Sequence, residues 1–247
     1  MDFNLSPYLF QIGDFGVRYY ALMYLLGLLI TYLWLAYVAK YDKEKILDLC
    51  LWAFIVLVIS GRLGFVLFYE PQWIWEDPLQ IFKAWEGGRS FHGAFIGTMA
   101  YILYFLKKEK WNIMKFGDDI LPPIALAVGL GRIGNFLNGE IWGFPTTVPW
   151  CFYVPGYEGC LHPAQLYNAL ANFIVFGILY FLWKRPHRIG SIAGWYFILE
   201  GFGRAFTETL WRIPDWVFLG ITAGTWLSVP MVLIGLVMIG LAYRKKH

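Results

Sequence analysis

The chain has 247 residues, of which 59% are hydrophobic, 20% aromatic and only 15% charged, and its formal net charge at pH 7 is +3. A soluble globular domain is about 45–50% apolar and about 25% charged, so this composition excludes an ordinary soluble domain and indicates a membrane protein. The small basic excess suits contact with anionic lipid headgroups and gives no argument for nucleic-acid binding.

Seven apolar runs have the length of membrane-spanning helices, which need roughly 20 mostly apolar residues. They lie at about 19–39, 46–69, 91–106, 119–137, 164–183, 190–210 and 223–243. The third run is short and the sixth is interrupted by charges. The sequence therefore predicts an all-α polytopic membrane protein with about seven transmembrane helices in a single membrane domain, residues 1–247.

Basic residues concentrate after the first, third, fifth and seventh runs, while the other connections hold few. The four basic groups are Lys40, Lys43 and Lys45; Lys107, Lys108, Lys110 and Lys115; Lys184, Arg185 and Arg188; and Arg244, Lys245 and Lys246. Cytoplasmic connections carry the excess of Lys and Arg, so the alternation predicts an N-terminus outside and a C-terminus in the cytoplasm.

The segments predicted to lie outside have distinct compositions. Residues 1–16 lack a basic stretch before an apolar one, which argues against a cleavable signal peptide and favours an amphipathic surface segment, with a mobile tail as the alternative. Residues 70–90 carry Trp73, Trp75 and Trp85, typical interface anchors, and PLQIFKAW (78–85) resembles a short interfacial helix.

The second long outer connection, residues 139–163, is rich in Gly, Pro and aromatic residues, which predicts a small structured extracytoplasmic head. Cys151 and Cys160 share it. Either a disulfide or two free thiols fits an outer location. No metal-ligand spacing such as CxxC is present, so no metal site is expected.

The stretch GRIGNFLNGE (131–140) places polar groups directly after an apolar run. An ionisable residue within a span costs about 2.5–3.5 kcal/mol or more and is by default functional. Arg132 and Asn135 are three residues apart and share a helix face, and the surrounding glycines allow close approach. Arg132 either binds a ligand or pairs with a carboxylate to hold the helices together.

A second polar series follows in the sixth run. Glu200, Arg204 and Glu208 are spaced by four residues and share one helix face, which Arg212 extends. The series is either a self-neutralised ladder or part of an anion site with Arg132. At this depth the natural anion is a phospholipid phosphate, which Arg holds with forked hydrogen bonds.

Two histidines lie on the predicted outer side. His92, at the start of the third run, is either a base that takes a proton at neutral pH or a hydrogen-bonded interfacial residue. His162 precedes Pro163 at a predicted helix start, where a structural role is favoured.

The thirteen residues GRIGNFLNGEIWG (131–143) resemble the signature of the prolipoprotein diacylglyceryl transferases. RYYALMY (18–24), GGRSFHGA (87–94), DDILPPIALAVGLGR (118–132), HPAQLYN (162–168) and the segment around Arg204 support the resemblance, which covers nearly the whole chain. It implies transfer of a diacylglyceryl group from phosphatidylglycerol to the lipobox cysteine thiol of a prolipoprotein. Glycerol 1-phosphate is released in this first step of bacterial lipoprotein maturation, in the inner (cytoplasmic) membrane, without metal or organic cofactor.

The resemblance also implies roles for particular residues. The catalytic group would comprise Arg132, Arg204 and His92, with His92 as the base unless the cations lower the thiol pKa unaided. Phosphatidylglycerol would be bound by Arg132, Asn135, Glu140, Tyr20 and Arg204. Structural or supporting roles fall to Asp118, Asn138, Gly143, Glu208 and His162.

The chain departs from the family pattern in several places. Glu200 stands where many relatives have a tyrosine, Arg212 lies one residue later than the usual arginine, Ala94 replaces a common glycine and Asn168 a common glutamate. A transporter of an anionic solute or lipid that uses Arg132 and Arg204 is the alternative function, although the paired repeats typical of transporters are not evident. A haem protein ligated by His92 and His162 fits less well.

Overall fold

The computed structural model describes residues 1–13, 15–83, 88, 90–214 and 217–244. Its long helices coincide with the predicted runs. They are α1 (Tyr19–Leu33, continued as a π-helical turn, Trp34–Val38), α2 (Lys43–Tyr69), α4 (Phe91–Lys108), α5 (Ile113–Leu137), α6 (Ala164–Trp183), α7 (Ser191–Leu210) and α8 (Ala223–Arg244). A short α3 (Trp73–Glu76) and a 3-10 helix (Pro78–Phe82) follow α2. The helical membrane character predicted from composition is confirmed.

Within the described ranges, five helices are long and apolar enough to cross a membrane: α1 with its π-helical extension, α2, α5, α6 and α8. The other two long helices, α4 and α7, correspond to the short third run and to the sixth run, which charges interrupt. Helix α4 has 18 residues and ends in two lysines, and α7 carries Glu200, Arg204 and Glu208. The span count of seven and the orientation stay predictions.

One compact unit comprises residues 1–34 and 114–247. In it, α7 and α8 approach closely because small residues face each other. A Cβ atom on Gly194 would lie 3.0 Å from the carbonyl oxygen of Gly235, and one on Gly201 would lie 3.1 Å from that of Ser228. Small residues at such contacts let helix backbones pack tightly where lipid supplies no hydrophobic driving force.

The N-terminal segment of this unit is an ordered β-hairpin, formed by β1 (Tyr8–Ile12) and β2 (Phe15–Arg18). Ahead of it, Phe3 is buried and packs edge-on against Phe136, Trp142 and Phe152. The mobile-tail alternative is wrong. The amphipathic surface segment is instead a hairpin, whose two short strands lack a distinctive pattern in so apolar a sequence.

Residues 139–163 form a small structured element, as predicted from their composition. Strands β3 (Phe152–Tyr153) and β4 (Cys160–Leu161) pair antiparallel, and a disulfide joins Cys151 to Cys160. The disulfide alternative is therefore the one observed. The backbone N–H of Phe144 donates to the carbonyl of Trp211 at 2.8 Å, which fastens the element to the end of α7. A further hairpin, β5 (Val217–Phe218) and β6 (Ile221–Thr222), precedes α8.

The second compact unit comprises residues 35–113. Helices α2 and α4 touch at glycines, where a Cβ on Gly64 would lie 2.7 Å from the Cα of Gly93. Arg62, buried in α2, donates to the carbonyls of Gln80, Ile81 and Gly88. This arginine thereby fastens the connection that follows α3. The predicted helix at 78–85 is the 3-10 helix, and Trp85 lies outside the described residues.

Candidate active site

Three arginines gather in the first unit. Arg132 of α5 interacts electrostatically with Arg204 of α7 and with Arg212, which lies two residues beyond the end of α7. It also interacts with Glu200 of α7 and Tyr20 of α1. All three arginines are half-buried. The Nε of Arg204 is buried and has no hydrogen-bond partner among the described residues. Like charges held together in this way favour an anion between them.

Glu208 neutralises part of this charge. Its carboxylate is 2% exposed, and one oxygen lies 3.5 Å from Nη1 of Arg212 and 3.8 Å from Nε of Arg204. The other oxygen accepts a hydrogen bond from the backbone N–H of Gly224 at 2.7 Å, at the start of α8. Glu208 thus contacts two arginines and a helix end.

Glu200 also faces the arginines. It lies one helical turn before Arg204 on α7 and interacts electrostatically with both Arg132 and Arg204. This carboxylate, at the position where the resemblance leads us to expect a tyrosine, therefore adds negative charge to the cluster. Together, Glu200 and Glu208 make the ladder alternative partly correct, but two carboxylates do not balance three guanidinium groups.

The end of α5 forms an amide clamp around Glu140. Asn138 donates to one carboxylate oxygen at 2.9 Å and Asn135 to the other at 3.5 Å. Gln165 of α6 donates to the backbone carbonyl of Glu140. The chain can turn back here because Gly139 has a φ of +73°, which L side chains rarely adopt. The clamp fixes the orientation of an otherwise exposed carboxylate.

Tyr20 joins the same region from α1. Its hydroxyl lies 2.7 Å from that of Tyr24, and a Cβ on Gly134 would come within 3.1 Å of its ring. It interacts electrostatically with Arg132 and Glu140. The geometry thus brings together Tyr20, Asn135, Arg132, Glu140 and Arg204, the residues expected to bind lipid.

Gly143 and His162 hold the element 139–163 in place. The backbone N–H of Gly143 donates to the His162 carbonyl at 2.9 Å, and a Cβ on Gly143 would lie 2.8 Å from that of His162. Nδ1 of His162 lies 3.0 Å from the Tyr167 hydroxyl, which also accepts from Trp150. Desolvation lowers the pKa of His162 below its usual 6.5, so the ring favours its neutral form.

Asp118 lies fourteen residues before Arg132 on α5, roughly 21 Å away along the helix. It is almost fully buried, and its two oxygens accept from the backbone N–H groups of Gly190 at 2.5 Å and Ala193 at 2.8 Å. These are donors at the start of α7 that lack partners within the helix. Asp118 is thus a helix cap remote from the arginines.

His92 belongs to the unit of residues 35–113. It is the second residue of α4, whose N-cap Ser90 accepts from the Gly93 N–H. Its imidazole is exposed, touches the Phe91 ring, and has no hydrogen bond to any described residue. The role of His92 therefore stays a prediction.

Comparison with known proteins identifies the family. The family model described as prolipoprotein diacylglyceryl transferase matches residues 7–241. The chain belongs to the prolipoprotein diacylglyceryl transferase family. Curated relatives named phosphatidylglycerol–prolipoprotein diacylglyceryl transferase include proteins of Pseudoalteromonas atlantica (39% identical), Nitrosomonas europaea (38%) and Vibrio cholerae (38%). Each alignment covers 98% of this chain, and it covers 91%, 91% and 93% of the respective relative.

Some residues of this transferase-family site were not anticipated from sequence. Tyr24 follows Tyr20 by one helical turn, a spacing that could have revealed the hydroxyl pair. Gln165 and Gly224 contact Glu140 and Glu208 from distant segments, so no local pattern signals them. Within the described part of the chain, no three His, Cys, Asp or Glu side chains converge as a metal site would require.

Proposed function

We propose that this protein transfers the diacylglyceryl group of phosphatidylglycerol to the lipobox cysteine thiol of prolipoproteins, the first step of bacterial lipoprotein maturation. The observation that carries the proposal is the incompletely neutralised group of Arg132, Arg204 and Arg212, formed by helices of a membrane protein that belongs to the transferase family. A phospholipid phosphate is the anion that such a group would meet.

In this reaction the cysteine sulfur attacks the carbon of the diacylglyceryl group that bears the phosphate. A carbon–sulfur bond forms, the carbon–oxygen bond breaks, and its electron pair leaves with glycerol 1-phosphate, while the thiol proton passes to a base. The phosphate begins as a diester with one negative charge and leaves as a monoester approaching two. Preorganised cations that face this developing charge lower the barrier, and loss of one such donor typically costs about 10²–10³ in rate.

We assign the phosphate to Arg132 and Arg204. The buried Nε of Arg204 supports this assignment, since among the described residues it makes an ion pair but no hydrogen bond, and a phosphate oxygen would accept one from it. The amide clamp of Asn135 and Glu140, with Tyr20, would line the glycerol end of the site. His92 would accept the thiol proton, a role that its imidazole permits because it is exposed and has no hydrogen bond to the described part of the chain.

We further propose a single membrane domain of seven spans in the bacterial inner membrane, with the N-terminus outside and the active site toward the extracytoplasmic face. Residues 70–90 and 139–163 would lie outside. The Cys151–Cys160 disulfide supports this orientation, since disulfides persist in oxidising compartments and are rare in the cytoplasm. The lipobox peptide would enter laterally between helices, and surrounding membrane lipids would contact the exposed apolar side chains.

The test uses purified protein in detergent with phosphatidylglycerol and a lipobox peptide. Glycerol phosphate release and peptide mass are followed for the wild type, Arg132→Ala, Arg204→Ala and His92→Ala. We expect release matched by a diacylglyceryl mass gain, lowered at least about 100-fold in both arginine variants. Residual activity in His92→Ala would mean that the arginines lower the thiol pKa enough for the reaction without His92 as base. Folded wild type that transfers nothing to an intact cysteine peptide would overturn the proposal and favour anion or lipid transport.

A further inference from the structure

Glu200 gives the arginine cluster a feature that binding an anion does not require. Glu200 is half-buried on α7, one helical turn before Arg204, and interacts electrostatically with Arg204 and Arg132. A carboxylate in this position competes with a phosphate for both arginines. Its neighbour Glu208 is shared between Arg212 at 3.5 Å, Arg204 at 3.8 Å and the backbone N–H of Gly224. Because Glu208 cannot neutralise both of these arginines, Glu200 sets the charge that remains for a ligand.

We propose that Glu200 is a specificity-determining residue that tunes the site to a headgroup with one negative charge and against one with two. The inference rests on the proposed function, because it concerns the same phosphate site. The three guanidinium groups of the cluster and the carboxylates of Glu200 and Glu208 leave a single positive charge, which matches a phosphodiester. A phosphomonoester carries nearly two negative charges at alkaline pH, and its second charge would face Glu200 without compensation.

The consequence for turnover concerns the product. The substrate phosphatidylglycerol is a diester and the leaving glycerol 1-phosphate is a monoester, so the same carboxylate that tolerates the substrate would repel the product. Glu140, which also lies near the site, is exposed, so solvent screens its charge. Glu200 is half-buried on α7, where a charge acts more strongly.

The experiment measures lipid binding without turnover. Purified protein in uncharged detergent at pH 8.5 is loaded with fluorescent phosphatidylglycerol, which is displaced by phosphatidylmethanol or phosphatidic acid with identical acyl chains. Both competitors lack the glycerol headgroup, so they differ chiefly in phosphate charge. For the wild type we expect phosphatidylmethanol to displace the fluorescent lipid at a concentration at least about tenfold lower than phosphatidic acid does.

Glu200→Gln removes the charge and keeps an oxygen in a similar position. It should reduce the preference for phosphatidylmethanol over phosphatidic acid by about tenfold or reverse it. Glu200→Asp, the matched control, keeps the charge and should keep the preference. The Gln variant should also be inhibited by glycerol 1-phosphate at about tenfold lower concentration.

Wild type that binds phosphatidic acid as tightly as phosphatidylmethanol would overturn the inference, whether or not the variants fold. So would a folded Glu200→Gln variant with an unchanged ratio. A protein that shows the charge preference but transfers nothing would disprove the transferase function and leave the charge selection standing, so the two failures are distinguishable.

Discussion

Glu208 is the residue on which the arginine cluster and the start of α8 both depend. Its carboxylate fits only because Gly224 has no side chain, since a Cβ there would overlap the carboxylate atoms. Gly224 thus contributes to the site because its missing side chain leaves room for the Glu208 carboxylate. A substitution at Gly224 would move Glu208 and, with it, Arg204 and Arg212.

Gly224→Ala should therefore lower both stability and activity. Overpacking of a buried contact typically costs about 1–3 kcal/mol, and the displaced carboxylate would no longer hold the arginines. Thermal unfolding in detergent and the transfer assay measure the two effects. Gly240→Ala, on the same helix with open space around its Cα, should be nearly neutral in both. Equal behaviour of the two variants would contradict this role of Gly224.

His162 gives the protein a defined pH dependence. Its pKa in the folded state is lowered by desolvation, whereas in the unfolded chain it is about 6.5. Near pH 6 the unfolded state therefore binds more protons, so stability is complete above about pH 6.5 and falls as the pH drops toward the folded-state pKa. His162→Gln should reduce the dependence of the melting temperature on pH between pH 5 and 7.5. An unchanged slope would exclude His162 as its source.

At the scale of elements, the start of α7 depends on a side chain from another helix. Asp118 of α5 caps it with two hydrogen bonds to backbone N–H groups. Asp118→Ala would leave both donors buried without partners, and we expect a loss of about 2–4 kcal/mol. The control is Asp42→Ala, because Asp42 caps α2 from an exposed position with one hydrogen bond and should cost about 1 kcal/mol or less. Similar losses in denaturation experiments would refute the buried cap.

The helices were predictable from sequence and most of their partners were not. Apolar length places each helix bound to within six residues, since a helix in lipid needs a long, mostly apolar stretch. The i, i+4 spacing likewise places Arg204, Glu208 and Arg212 on one face. The hydrogen bonds from Gly190 to Asp118 and from Gly224 to Glu208 join segments whose sequences carry no shared signal. The N-terminal hairpin was missed because its strands are short.

For the whole molecule, the disulfide makes the proposed orientation measurable. In spheroplasts, a membrane-impermeant maleimide should label the protein only after an impermeant reductant has opened the Cys151–Cys160 bridge. Cys50 is buried and should stay unlabelled. The double variant Cys151→Ser, Cys160→Ser should lose the signal and about 2–3 kcal/mol of stability. Labelling that requires permeabilised membranes would place these cysteines in the cytoplasm.

The burial of Phe3 has a consequence for biosynthesis. Its aromatic partners, Phe136, Trp142 and Phe152, are synthesised long after it. At about 5–20 residues per second, the first residues wait on the order of ten seconds for the surface that receives them. During that interval the N-terminal segment must remain on its own side of the membrane, unpaired and open to proteases. Assembly of the element 139–163 is thus a late event, completed when the two distant parts of the chain meet.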